Sequence, residues 1–444
     1  MTDNPAGEKT PRTKSMPKIK VGSVAGFLAV VPHLLGFLPE RSLVVVGLDS
    51  ARGRIVLGFR YDLPDPPDPG RAREIAEHAS GVLGQRGVGT AIAAGYGPGT
   101  LVTPVAGPLR AALGTAGIAV RDVLRVENGR YWSYVCQDPG CCPAEGVPFD
   151  GAAHPASAAL TAAGLDVLPG RSSLAASLAP LAGPAAEAMD RATERALRRA
   201  EELVASAASG EEAMRLVVDA GRAAVREAIG VYRGGGAITD DDQLAWLTVT
   251  LADLRVRDDA WARMEPRYRT AHRRMWADLV RRAREPYVPA PASLLAFTAW
   301  QSGEGALANV AIERALAADP EYSMAHLLGQ AVDAGLPPSA ARLPMTPEEV
   351  EASYAVTERA GSGAPSPDAP PAGRSGGRPA SRLAGSSGRR SGGRSSARRS
   401  RGRSARRRSA GRGSAERGSA GRPSAGPSPA RRSPASPASS RPSG

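Results

Sequence analysis

Cysteine is nearly missing from this sequence. Three thiols serve 444 residues, and all of them fall at Cys136, Cys141 and Cys142. A disulfide-stapled secreted domain needs more of them, in even number and spread along the chain. Uninterrupted apolar stretches are missing too. No run approaches the roughly 18 residues that argue for a membrane-spanning helix. The opening "MTDNPAGEKTPRTKSMPKIK" also lacks the apolar centre of a signal peptide. Together these absences predict a cytoplasmic chain with reduced thiols and no membrane contact. The five histidines are scattered, and neither an H-E-x-x-H nor a Ser/His/Asp order emerges. Catalysis therefore has no candidate residue, and the chain reads as non-enzymatic.

Lysine stops at Lys20, and no aromatic residue follows Tyr354. These gaps expose a division of charge that the overall +13 conceals. Residues 361–444 hold 19 arginines against Asp368 and Glu416, a net +17, so the first 360 residues are mildly acidic at −4. Arginine in place of lysine, with abundant Ala, Gly and Pro, is also what a GC-rich genome produces. Residues 345–444, rich in Ser, Gly, Pro and Arg, cannot bury enough apolar surface to offset chain entropy and are predicted to be disordered, as is the lead 1–18. A tail of this charge suits a nucleic acid or another polyanion, bound without sequence preference because nothing in it can stack on bases.

What lies between is 19–340, in a chain that is 42% hydrophobic and so able to build real cores. Residues 19–150 alternate helix and strand signals. "SVAGFLAVVPHLLGF" is helical, with Ser23 as its cap and Pro32 near its end. "SLVVVGL" and "RIVLGFRYDL" read as a hairpin, "RAREIAEHASGVLGQRG" as a helix and "GTAIAAGYG" as a strand. Thr103 and Pro104 are placed to start the next helix. Two strands follow around the Asn-Gly of "ENGR". From residue 151 to 340 the strand signal disappears. "SLAASLAPLAGPAAEAMDRATERALRRAEELVASA", "GEEAMRLVVDAGRAAVREAIGVYR" and "DDQLAWLTVTLADLRVRDDAW" each read as a helix, followed by a helical pair over about 291–334. The predicted fold is an α/β N-terminal domain, an all-α domain and a long disordered C-terminal tail.

Three places could carry chemistry. In "YVCQDPGCCPAEG" the three thiols flank the strong turn Asp-Pro-Gly. Cysteine packs more often than it reacts, so the sequence predicts a buried structural turn. Two alternatives stay open: a zinc site with His154 as fourth ligand, for which the spacing is loose, and a redox role, for which C-x-x-C is absent. In "GYGPGT", Gly95, Gly97 and Gly99, with the hydroxyls of Thr100 and Thr103, lie between a strand and a helix, where backbone N–H groups can hold a phosphate. The spacing is not G-x-G-x-x-G and no Walker lysine accompanies it, so a plain turn is the expectation. In "RVRDDAW", Arg255, Arg257 and Asp258, with Asp259, form either a surface ion-pair ladder or the lining of a ligand pocket.

The segments "VPHLLGFLPERSLVVVGL", "GRYWSYVCQDPGCCPAEGVP" and "LRVRDDAW" resemble an actinobacterial family known as domain of unknown function 4192, over roughly residues 19–338. His33 stands where that family pattern would place an aromatic residue. The resemblance implies an α/β half and a helical half, and no activity. Locally, "GEGALANVAIERALAADP" is similar to the second helix of a tetratricopeptide unit. Gly303, Ala308, Ala315, Leu316, Asp319 and Pro320 fall at its spacing, but arrays of such units need about three or more to stand alone. The functional expectation is a cytoplasmic interaction or regulatory protein that meets a protein partner through its helices, without a cofactor. The alternative is an enzyme or sensor that takes a phosphate-containing ligand, or zinc, in the α/β half.

Overall fold

A computed structural model of the chain describes residues 22–49, 53–340 and 346–361. The lead 1–18 and everything beyond 361 lie outside those residues. In chain order the first half runs α1 (Val24–Leu35), β1 (Ser42–Leu48), β2 (Ile55–Asp62), α2 (Pro69–Gln85), β3 (Thr90–Tyr96), α3 (Gly99–Thr115), β4 (Ala119–Glu127), β5 (Arg130–Ser133) and β6 (Val147–Pro148). The six strands make one sheet in the order β2-β1-β3-β4-β5-β6. Among the described strands only β3 and β4 pair in parallel, because α3 carries the chain back between them. Successive residues of a strand point to opposite faces, and β1 uses both. Leu43 and Val45 pack with α2 and α3, while Val44 and Val46 pack with Phe27, Leu28 and Val31 of α1. All seven residues of β1 are buried.

Several local expectations hold. The Ser23 side chain accepts from the Gly26 N–H to cap α1. Asn128 and Gly129 both take positive φ, 50° and 70°, in the turn between β4 and β5. One expectation fails: α3 begins at Gly99, with Pro98 as its N-cap residue, a full turn before Thr103. Pro104 is an interior helical residue, six positions into α3, and it has no N–H to give the Thr100 carbonyl one turn before it.

The second half is α4 (Pro155–Ala162), α5 (Arg171–Ala176), α6 (Pro184–Ser206), α7 (Gly210–Arg233), α8 (Asp241–Thr250), α9 (Leu254–Ala262), α10 (Arg269–Arg282), α11 (Pro289–Gln301), α12 (Gly305–Ala318), α13 (Ser323–Asp333) and α14 (Pro347–Gly361). Two single helices of the sequence reading are each broken in two. Gly183-Pro184 restarts the chain as α6 with proline in its first turn, and Asp253 caps α9 after a break at the end of α8. The helical pair over 291–334 is three helices, α11 to α13. The tail predicted from 345 instead opens with α14, whose Val350 is buried. A shared core from Phe37 to Leu328 fills the helical half. Among the described residues no helix is long and apolar enough to cross a membrane.

The two halves meet at the end of α13. The Arg86 guanidinium donates to the Ala334 carbonyl at 3.0 Å. Gly335, at φ +58°, lies so close to the sheet layer that an added Cβ would fall 2.6 Å from Val82 and 3.2 Å from Phe59. Only glycine satisfies both the backbone angle and the space there.

Candidate functional site

The thiol loop follows β5 directly. The Ser133 hydroxyl donates to Asp122 on β4 and accepts from the N–H groups of Val135 and Cys136. The Asp138 side chain accepts from Gly140, and its carbonyl accepts from the N–H groups of Cys141 and Cys142 at 3.1 and 2.7 Å. This is the turn the sequence predicted. Three further contacts fix the loop from outside. Arg110 of α3 donates to the Tyr134 carbonyl, Thr103 bonds the Tyr134 hydroxyl at 2.7 Å, and the Trp132 indole donates to the Ala144 carbonyl. The loop brings the three sulfur atoms to within 4.8 Å of one another. Burial differs from expectation: Cys141 is exposed, and Cys136 and Cys142 are only half-buried. Hydrogen bonding from the Asp138 backbone, then from Cys142, holds the Cys136 thiol below its ordinary value. Desolvation, then hydrogen bonds to Cys136 and Cys141, push the Cys142 thiol up to about 12. His154 stays outside the cluster. It caps α4, its Nδ1 accepting from the Ala156 N–H.

Several residues of "GYGPGT" are engaged within the fold. Gly95 is buried inside β3, the Gly97 N–H donates to the Val126 carbonyl, and Thr103 is engaged by Tyr134. The first turn of α3 already has a cation against it. The Arg125 guanidinium stacks 3.6 Å over the Trp132 ring and approaches Gly99 so closely that a Cβ there would lie 2.4 Å from Nη1. Thr100 remains exposed at the helix start.

The charges of α9 do not form a ladder facing water. They act as a clasp. Arg257, 9% exposed, donates through Nε and Nη2 to Asp258 and through Nη1 to the Tyr322 hydroxyl. Asp258 also accepts from the Tyr354 hydroxyl of α14 at 2.6 Å, and the Arg255 guanidinium lies 5.7 Å from the centre of the same ring. Asp259 is buried in a two-pronged pair with Arg263. The motif thus holds α14 and the start of α13 against α9.

Two features carried no local signal in the sequence. His33, 6% exposed on α1, binds the Leu165 carbonyl through Nδ1 and the Ser157 hydroxyl through Nε2, at 2.8 and 2.9 Å. The connectivity is that of a serine–histidine pair, but its effect here is to tie α1 to α4, and the cleft described next does not reach it. That cleft, of about 690 Å³, opens where the halves meet. Arg60, Tyr61 and Asp62 of β2 and Arg71 of α2 form one wall, and Asn309, Glu313, His326 and Asp333 of α12 and α13 stand in the other. The walls are more than two hundred residues apart in the chain, so no motif announces them. Tyr61 bonds His78 at 2.8 Å, and burial, then the Asp333 charge, raises its phenol well above the ordinary value.

In comparisons with known proteins, the model of the family described as Domain of unknown function (DUF4192) matches residues 25–339. No curated protein and no solved structure matches the chain.

Proposed function

The chain belongs to the DUF4192 family, whose description assigns no activity, and from the site itself we propose a non-enzymatic interaction or regulatory protein that takes an extended segment of a partner protein into the cleft between β2 and α12–α13. The observation that carries this reading is the position of the cleft on the sheet edge. β2 pairs with β1 alone among the described residues, and its last three residues line the cleft. An extended peptide laid there can add to the strand edge while its side chains meet the helices, the mode in which sheet edges bind partners. The volume falls in the range of ligand sites. The lining carries both signs of charge, so it favours a polar segment over an apolar one. A cytoplasmic location accompanies this reading, since three free thiols suit a reducing compartment.

The test fills the cleft from its floor. Gly329 lines it, and an added Cβ there meets only Ile312 at 3.8 Å, an ordinary contact. Gly329→Phe should therefore block the cleft without disturbing the core. Affinity capture from the native host with both proteins should return partners with the wild type that the variant loses. The same partners on both, at matched melting temperature, would sink the reading.

A further inference from the structure

The grouping of the thiols has no packing explanation. Cysteine clusters in cores because sulfur behaves there as a small apolar group, yet none of Cys136, Cys141 and Cys142 is buried, and Cys141 is open to solvent. What the loop does instead is aim three sulfurs at one point. Their separations, all within 4.8 Å, compare with about 3.8 Å between two sulfurs bound to one tetrahedral zinc with Zn–S bonds near 2.3 Å. A closure of about an ångström completes the geometry.

The support around the sulfurs is of the kind that metal sites need. Ligands bind well when neighbouring groups fix their orientation. Here Ser133 holds the Cys136 N–H, and the Asp138 carbonyl holds those of both Cys141 and Cys142. The whole loop is then fastened to α3 through Arg110 and Thr103, and to its own exit through Trp132. A redox pair would need only two of these sulfurs, so the third argues for coordination.

We propose that Cys136, Cys141 and Cys142 form a three-thiolate site for a single zinc ion, whose fourth position is taken by water or by a ligand from outside the chain. His154 does not complete the set, because its Nδ1 is used to cap α4. Among the described residues no other histidine or carboxylate joins the three sulfurs. Sites that close around zinc with four protein ligands are structural, whereas sites with three keep a position for exchange. This site is of the second kind, and it is independent of the cleft reading.

The experiment uses the full chain, reduced and stripped of metal. Cobalt(II) should bind at one equivalent, with sulfur-to-cobalt charge-transfer absorption and the intense visible bands of tetrahedral coordination, and zinc should displace it. Cys136→Ser and Cys142→Ser should each weaken zinc by at least about 100-fold, since loss of even a supporting group costs about 10–100-fold. Cys141→Ala, on an exposed side chain, should do the same with circular dichroism unchanged, which separates ligand loss from misfolding. His154→Ala should leave the affinity within about twofold. The proposal is overturned if the wild type gives no thiolate–cobalt absorption, or if the triple cysteine variant binds zinc as tightly as the wild type. Dependence of the affinity on His154 would also overturn the three-thiolate assignment.

Discussion

His272 shows how one side chain can set the acid limit of this protein. It lies on α10, 2% exposed, and its Nε2 has no hydrogen-bond partner among the described residues. Burial, then the nearby Arg233 charge, lowers its pKa from 6.5 to about 4, with Glu265 opposing. Between those two values the unfolded chain takes up a proton that the folded chain refuses. Stability is therefore full above about pH 6.5 and declines as the pH falls to about 4, by a total on the order of 3 kcal/mol at the pKa spacing. Urea unfolding at pH 7 and at pH 4.5 should show a larger loss for the wild type than for His272→Gln. Identical losses would remove the histidine from the explanation. At this scale the sequence is legible only where partners are close in the chain. The thiol turn was visible because Asp138 and the residues it turns, Gly140 to Cys142, are adjacent in the chain, whereas its anchors Arg110 and Thr103 were not. The partners of His33, by contrast, are 124 and 132 residues away, and Arg257 finds Tyr322 across 65.

Helices and strands were legible where the signal was local and undivided. α1 and α7 begin where Ser23 and Ser209 cap them, and the Asn-Gly turn lies where its positive φ values require. The break between α5 and α6 was signalled by Pro180 and Gly183-Pro184 and was missed, whereas that between α8 and α9 was not legible, because the apolar pattern runs across it. Periodicity continues through a short kink, and tertiary contacts decide whether a helix does too. The α11–α12 hairpin tests whether small residues there are needed for close approach. Ala308 and Ala315 are both fully buried. Ala308→Leu and Ala315→Leu should each destabilise by about 1–3 kcal/mol through overpacking, measured as a shift in denaturation midpoint at constant slope. Near-zero shifts at both positions would mean the interface has room to spare. The α9 clasp makes a different prediction. Tyr354→Phe removes the hydrogen bond to Asp258, so amide exchange should quicken in α14 and stay unchanged in α11. Equal protection of α14 in both proteins would show that its apolar contacts suffice.

For the whole molecule, charge separates what the fold joins. The 19 arginines of residues 361–444 lie outside the described residues, beyond a mildly acidic remainder. If about six of them contact phosphates together, affinity for random duplex DNA should fall roughly a thousandfold between about 50 and 200 mM salt. The 13 arginines from Arg382 to Arg417 should carry most of it. Removing residues 362–444 leaves α14 in place and should abolish the binding while the melting temperature holds. Equal binding by both forms would dismiss the polyanion role. The junction at Gly335 bears on how such a chain is made. Arg86 meets Ala334 across 248 residues, and Phe59 and Val82 meet Gly335 from farther still. A ribosome delivers the sheet long before it delivers the residues that cover Phe59 and Val82. Until then the nascent chain presents uncovered side chains to its neighbours, the state from which aggregation starts. The protein should thus be most vulnerable during its own synthesis, and slow or stalled translation of the last helices should cost more soluble product than any delay in the sheet.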